Sequence, residues 1–272
     1  MSYANPAAYE HFMGRWSARL APAFLRFAQV KEGQHIVDVG CGTGVLSRAV
    51  VSSGADAKVT GVDPSADYLA FAARALPGER ARFQVGRAEA LPFSNGTFDA
   101  ALALLVLQDF DEPARAVREM ARVTRLDGVV AACIWDFEHG LPMLSLLRQA
   151  AETVAPDEAL GRSRKSADLQ ELYAVWDQCG LHDITTETFE IGMAFASFDD
   201  YWQPVLGRST PTSALVAAVD QQTGGALARV LREKISGKEP SGSFVLPARA
   251  FAVRGVAAER VAANANSRRS EP

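Results

Sequence analysis

Three acids and a glycine run hold the residues best suited to chemistry. Asp38 and Asp63 stand at the ends of short apolar stretches, Glu89 follows a third, and Gly40-Cys41-Gly42-Thr43-Gly44 lies between the first two acids. Glycine permits φ > 0 and removes the Cβ that would hold a ligand off the backbone, so a strand that turns through such a loop into a helix offers its N–H groups to a bound molecule. One glycine would satisfy a tight turn with nothing bound; three at alternate positions point to a ligand. The spacing G-x-G-x-G differs from the dinucleotide fingerprint G-x-G-x-x-G. Asp38, two residues before the first glycine, suits an ammonium or sulfonium cation better than a pyrophosphate. Asp63 can take both hydroxyls of a ribose with its two oxygens.

The elements that must position these residues alternate. Apolar periodicity gives strands at 35–39, 58–62, 81–85, 98–105 and 128–135, with helices at 44–53, 65–75 and 112–123 among them. Such alternation predicts a doubly wound, mostly parallel sheet with helices on both faces, in which ligands sit at the carboxyl ends of the strands. Asp38, Asp63 and Glu89 all fall at or just past such ends. Asp99 opens the fourth strand and reads as structural.

At these residues the sequence resembles the class I S-adenosylmethionine-dependent methyltransferases, nearest the branch typified by ubiquinone and menaquinone biosynthesis enzymes. The resemblance rests on His35 to Leu46, on Gly61-Val62-Asp63-Pro64-Ser65, on Phe83 to Phe93, on Thr97-Phe98-Asp99-Ala100, and on Arg118 to Val123, in order across about residues 30 to 135. It implies a seven-stranded Rossmann-like α/β sheet with an antiparallel final hairpin and helical insertions, and S-adenosyl-L-methionine as cofactor. By that resemblance Asp38, Gly40, Cys41, Gly42 and Gly44 hold the methionine part, Asp63 and Pro64 the ribose, and Ala88 and Glu89 the adenine. Leu105 joins this set, and Arg15 pairs with the cofactor's carboxylate. Leu126-Asp127-Gly128 replaces the family's common Pro-Gly-Gly, and Asp-Gly still makes a turn. Gln108 and Asp109 stand where many relatives carry histidine or asparagine facing the methyl acceptor. They and His139 are candidates for catalysis.

The chain has 272 residues, 48% of them hydrophobic, with a net charge of −4, enough apolar content for a full core and no basic field of the kind nucleic-acid binders carry. Cys41, Cys133 and Cys179 match no metal spacing and read as reduced thiols of a cytoplasmic protein. No targeting segment or membrane span is expected, since the longest apolar run, 100–107, is too short.

Residues 1–257 are expected to form a single methyltransferase domain, and 258–272 a disordered tail. Within it, residues 1–30 form a helical arm, read either as a helical pair packed on the sheet edge or as a lid with Tyr3, Tyr9, Arg15 and Trp16. Residues 35–135 are the cofactor core. Two blocks, 141–179 and 197–235, are a helical cover: helices at 141–154 and 166–179, with Ser166 as N-cap and Gly180 as stop, then 197–206 and 212–235. Strands are expected at 184–195 and 244–256, Pro247 marking a bulge or strand start. Trp135, Phe137, Met143, Tyr201, Trp202 and Arg208 are expected to line an apolar acceptor pocket, although the two blocks could instead bury the sheet or form a homodimer interface. The function these features imply is methyl transfer to a small molecule at a carbon, oxygen or nitrogen left open. The alternatives are an NAD(P)-dependent oxidoreductase and a non-catalytic protein that binds S-adenosylmethionine.

Overall fold

The structure, a computed structural model, describes residues 5–154, 167–207, 213, 216–236 and 242–258. Seven strands, β1 (His35–Val39), β2 (Lys58–Asp63), β3 (Ala81–Val85), β4 (Phe98–Leu104), β5 (Thr124–Trp135), β6 (Leu181–Phe195) and β7 (Phe244–Ala257), form one sheet in the order β3-β2-β1-β4-β5-β7-β6. The first five pair in parallel, and β7 runs antiparallel between β5 and β6. The strand order reverses between β1 and β4, which opens a crevice at their carboxyl ends.

The central strands are apolar because both their faces are covered. On β1, Ile36 packs with the core on one side of the sheet, while Val37 and Val39 pack with the core on the other. The first side takes helices α2 (Arg15–Phe27), α3 (Val45–Ser52), α6 (Pro142–Val154), α8 (Phe198–Val205) and α9 (Gln221–Ser236); the second takes α5 (Pro113–Val123) and α7 (Leu169–Gln178). Helix α4 (Ala66–Ala75) begins directly after β2, where the Ser65 hydroxyl accepts from the Tyr68 N–H.

Several expectations need adjustment. The arm is one continuous right-handed run: α1 (Pro6–Tyr9), a π-helical turn (Glu10–Gly14) and α2, with right-handed dihedrals at every junction, so it is not a helical pair. The N-cap of α7 is Asp168, whose carboxylate accepts from the Glu171 N–H while Glu171 accepts from the Asp168 N–H; Ser166 lies outside the described residues. Strand β6 starts at Leu181 and β5 at Thr124, earlier than the apolar pattern suggests, because the added stretches are mostly exposed (125–127 and 182–183) and carry no apolar periodicity. Pro247 sits within β7, opposite Gly192 of β6 and beyond Ala250–Val256, the stretch that β5 reaches; its missing N–H therefore interrupts no ladder on that side. Strands β6 and β7 pair as expected, but some fifty residues separate them, and Phe195 stacks on Phe244 where the chain leaves and re-enters the sheet. Of the expected tail, only its first residue lies within the described set, and Tyr3 and Arg208 lie outside it.

Candidate functional site

Beyond Val39 the chain turns at Gly40, which has φ +70°, and the N–H groups of Gly40 and Cys41 both donate to the Val62 carbonyl of β2. A Cβ at Gly40 would stand 2.6 Å from Val106, so this turn and the segment after β4 touch too closely for any side chain. Gly44, at φ +81°, caps α3 in the left-handed conformation, and a Cβ there would meet Ala72 of α4 at 3.0 Å. The outer glycines of the run thus serve packing as much as ligand approach.

These turns enclose a cavity of about 220 Å³ at the carboxyl ends of β1, β2 and β4, closed by the loop after β3 and by Tyr9 and Ser17 of the arm. That is many times the ~30 Å³ share of one water, so the space suits an extended small molecule. Of the residues expected to hold the cofactor, Asp38, Gly40, Cys41, Gly42, Asp63, Pro64, Ala88, Glu89 and Leu105 line it, and Asp109 does as well. Gly44 stands behind the wall in its capping role.

Asp38 is 1% exposed and accepts from the Ser47 hydroxyl at 2.7 Å. Burial pushes its carboxyl up to about 7, the Ser47 hydrogen bonds oppose this, and the Asp63 charge adds to it. Asp63 accepts from the Ser65 N–H through Oδ1 at 2.9 Å and from the Gly42 N–H through Oδ2 at 3.0 Å. Burial raises it too, and those two N–H groups pull it back. Each oxygen keeps acceptor capacity beyond its backbone bond. Burial, then Asp38 and Asp63, drive the Cys41 thiol well up, so it stays protonated and inert. Glu89 is already engaged: Oε1 accepts from the Asp111 N–H at 3.0 Å, and Oε2 lies 3.6 Å from Arg87, which also pairs with Asp111 at 2.6 Å.

The sequence reading missed Tyr68, Thr43 and Ser47. Tyr68 is brought to the wall by the first turn of α4, with the Tyr9 ring edge-on at 5.9 Å. The serine–tyrosine pair at the start of α4 was readable as a cap but not as a wall. The Thr43 hydroxyl is buried at the wall without a hydrogen-bond partner among the described residues.

Other expected residues lie elsewhere. Arg15 is outside the cavity wall: its guanidinium donates to the Asp200 carboxylate at 2.8 Å and to the Asp200 carbonyl at 3.0 Å, and stacks over Trp16 and Phe195. An acid brought close by α8, invisible in local sequence, claims it. Trp135, Met143, Tyr201 and Trp202 are core residues, none more than 8% exposed, and the Tyr201 hydroxyl donates to the Met143 carbonyl at 2.7 Å. They do not line this cavity, and Phe137 packs against the same core. Their aromatic character reflects burial of the sheet rather than a pocket. His139 is exposed, its N–H donating to Asp136. Gln108 lies behind the wall, its amide donating to the Leu105 carbonyl at 2.8 Å and to Asp109 at 3.2 Å.

Residues 37–132 match the family model of the methyltransferase domain. The chain is 32% identical over 142 residues to the O-methyltransferase cnsE of Penicillium expansum, covering 51% of this chain and 48% of that one. It is 36% identical over 107 residues to the demethylmenaquinone methyltransferase of Renibacterium salmoninarum, covering 39% and 43%. The chain therefore spans about half the length of the curated relatives it matches. The fold is shared with the Haemonchus contortus phosphoethanolamine N-methyltransferase 2 solved in complex with S-adenosyl-L-methionine, with a TM-score of 0.58 at 18% identity, over 95% of this chain and 58% of that one. With the sheet order, the glycine turn and the acids at the strand ends in place, residues 37–132 match a methyltransferase domain, and the chain is similar over that part to demethylmenaquinone and ubiquinone/menaquinone methyltransferases.

Proposed function

We propose that the protein transfers a methyl group from S-adenosylmethionine to a small-molecule acceptor, with the donor held in the cavity at the carboxyl ends of β1, β2 and β4. The observation that carries this reading is the pair of carboxylates, buried Asp38 and half-buried Asp63, walling one cavity without a cation bound to either among the described contacts. The donor set fits the cofactor. A ribose diol matches the acceptor capacity that Asp63 retains, an ammonium matches Asp38, and the orphaned Thr43 hydroxyl offers a further polar contact.

S-adenosylmethionine supplies a methyl group on a sulfonium, already activated toward displacement. The chain's own work is to bind, orient and exclude water. Asp63, fixed by the Gly42 and Ser65 N–H groups, holds the ribose. Asp38 meets the ammonium and ionises as it does so, since a neighbouring cation favours its charged form. Ala88 and Glu89 border the adenine, Glu89 with one oxygen committed to the Asp111 N–H. Tyr9 and Ser17 close the cavity from the arm.

We assign Leu104, Leu105, Val106 and Phe110 to the acceptor side, which moves Leu105 out of the cofactor set in which the resemblance places it, with Asp109 as the polar group. Among the described residues lining the cavity, Arg87 is the sole basic side chain against five carboxylates. An anionic acceptor would meet net repulsion there. The acceptor is therefore a neutral or cationic small molecule, and Asp109 is the group placed to receive a proton from it. Calorimetry with S-adenosylhomocysteine and with NAD tests the reading. Binding of the first alone supports it, and binding of NAD alone would install the oxidoreductase alternative. Tight S-adenosylhomocysteine binding with no transfer to a panel of neutral and cationic amines and phenols would leave a non-catalytic binding protein.

A further inference from the structure

We propose that Gln108 is a positioning residue of this site: its side-chain amide fixes the left-handed backbone of Leu105 together with the carboxylate of Asp109, and so shapes the acceptor side of the cavity. The proposal rests on the methyl-transfer reading only for what that side of the cavity receives.

Leu105 directly follows β4 and has φ +60°. A bulky residue in that region is a backbone outlier, and such outliers persist where the surroundings over-determine them. The other non-glycine residues with positive φ among those described, Gln29, Asp56, Asp127 and Asp183, are exposed polar residues in turns, loops or at strand irregularities. Leu105 is a buried hydrophobe on a cavity wall, 6% exposed.

Two hydrogen bonds hold it there. Its N–H donates to the Cys133 carbonyl of β5 at 2.7 Å, a bond the sheet supplies. Its carbonyl accepts from Gln108 Nε2 at 2.8 Å, across the short 3₁₀ turn Leu107–Asp109. The same Nε2 reaches Asp109 Oδ2 at 3.2 Å. Both partners are acceptors, so the amide must present its NH₂ to them, and each of its two N–H bonds is used. The Gln108 Oε1 is left buried without a partner among the described residues. The amide is thus oriented for Leu105 and Asp109 at the cost of its own oxygen.

The segment is also pressed against the glycine turn, Val106 filling the space where a Gly40 side chain would be. Leu105, Val106 and Asp109 line the cavity while Gln108 does not, so Gln108 acts through them. Without its donor the Leu105 peptide loses the bond that offsets its conformation, and the Asp109 carboxylate loses its contact with Gln108.

Gln108→Leu tests this on the full chain. Leucine keeps much of the volume and removes the orphaned oxygen along with both donors, so the fold has little reason to fail. A crystal structure of the variant should show Leu105 out of the left-handed region and the Asp109 carboxylate turned from its place on the wall. Leu105 still at φ near +60° with Asp109 unmoved would overturn the proposal. On an acceptor identified from the amine and phenol panel, kcat/KM should fall roughly ten- to a hundredfold while S-adenosylhomocysteine affinity stays unchanged. Equal loss of cofactor affinity would instead assign Gln108 a general structural role.

The double variant Leu105→Gly/Gln108→Leu provides the second test, because glycine adopts positive φ unaided. The penalty of Gln108→Leu should shrink in the Leu105→Gly background; an equal penalty in both backgrounds would refute the link to Leu105. Wild-type protein that neither binds S-adenosylhomocysteine nor transfers methyl would count against the methyl-transfer reading, while the Leu105 geometry of the Gln108→Leu variant would still decide the clamp.

Discussion

Acids on the two sides of this molecule are treated in opposite ways. On the cavity side, Asp38 is buried and Asp63 half-buried, neither beside a cation, and desolvation raises both. On the cover side, burial acts on Asp136 and Asp200 as well, but hydrogen bonds and an arginine outweigh it. The His139 N–H and Arg249 hold Asp136 below the usual carboxylate range, and the Ala196 N–H and Arg15 do the same for Asp200. The paired acids stabilise the ligand-free fold, whereas the unpaired ones cost it stability and leave acceptor capacity for a cation or a diol. A buried acid marks a binding site only when the fold withholds its partner.

The sharpest way to break the comparison is to unpair a cover-side acid. Arg249→Met leaves Asp136, 3% exposed at its side chain, with its two N–H bonds and no counter-charge. Unfolding in urea should show a loss of about 3 kcal/mol, at the lower end for stranding a buried charge because the arginine itself is part-exposed. No change in midpoint would mean that the pair carries nothing.

On the cavity side the effect should fall on binding instead. Asp63→Ala should weaken S-adenosylhomocysteine binding by roughly 1.5–3 kcal/mol, the range for hydrogen bonds to a charged group, with no matching loss of ligand-free stability. An unchanged dissociation constant in folded protein would remove Asp63 from the site.

A smaller effect sharpens the contrast through pH. Asp38 has its folded pKa raised to about 7, above its unfolded value. Below about pH 4 the residue is protonated in both states and costs nothing; as pH rises toward 7 the unfolded chain gains by ionising first, and ligand-free stability falls. Asp38→Asn should therefore raise the ligand-free melting temperature at pH 8 by on the order of 5 °C, an advantage that vanishes near pH 4. Melting curves of both proteins across that range check it, and a gap independent of pH would refute the assignment. The paired acids carry the reverse sign, since the stability they give is lost as pH falls through their lowered pKa values.

The smallest expected effect concerns the cover. Tyr201→Phe removes the hydroxyl bond to the Met143 carbonyl and should cost about 1 kcal/mol of stability while leaving S-adenosylhomocysteine affinity and acceptor kinetics unchanged. A change in acceptor preference without a change in stability would return Tyr201 to the pocket from which its burial removes it.

The cavity half was legible because its spacing is local. The glycine run, Asp38 beside it and Asp63 at the end of β2 keep fixed distances along the chain, and a strand–turn–helix sets them on one rim whatever happens elsewhere. The cover was not legible in the same way. Tyr201, Trp202 and Met143 have the composition of an apolar pocket and equally of a core, and only the packing of their helices against β6 and β7 separates the two. Arg15 shows the same limit: a lone arginine in the arm suits a ligand's carboxylate until α8 brings Asp200 within 2.8 Å.

By itself the sequence determined the alternation of strands and helices, the position of the glycine turn and the acids at the strand ends, because each depends on periodicity or on neighbours a few residues away. Only the tertiary structure decided which acids found a cation, that the arm runs as one helix over the cavity, and that Leu105 is held left-handed by Gln108. Those outcomes depend on what residues far apart in the chain bring within hydrogen-bonding distance, and no local pattern encodes that distance.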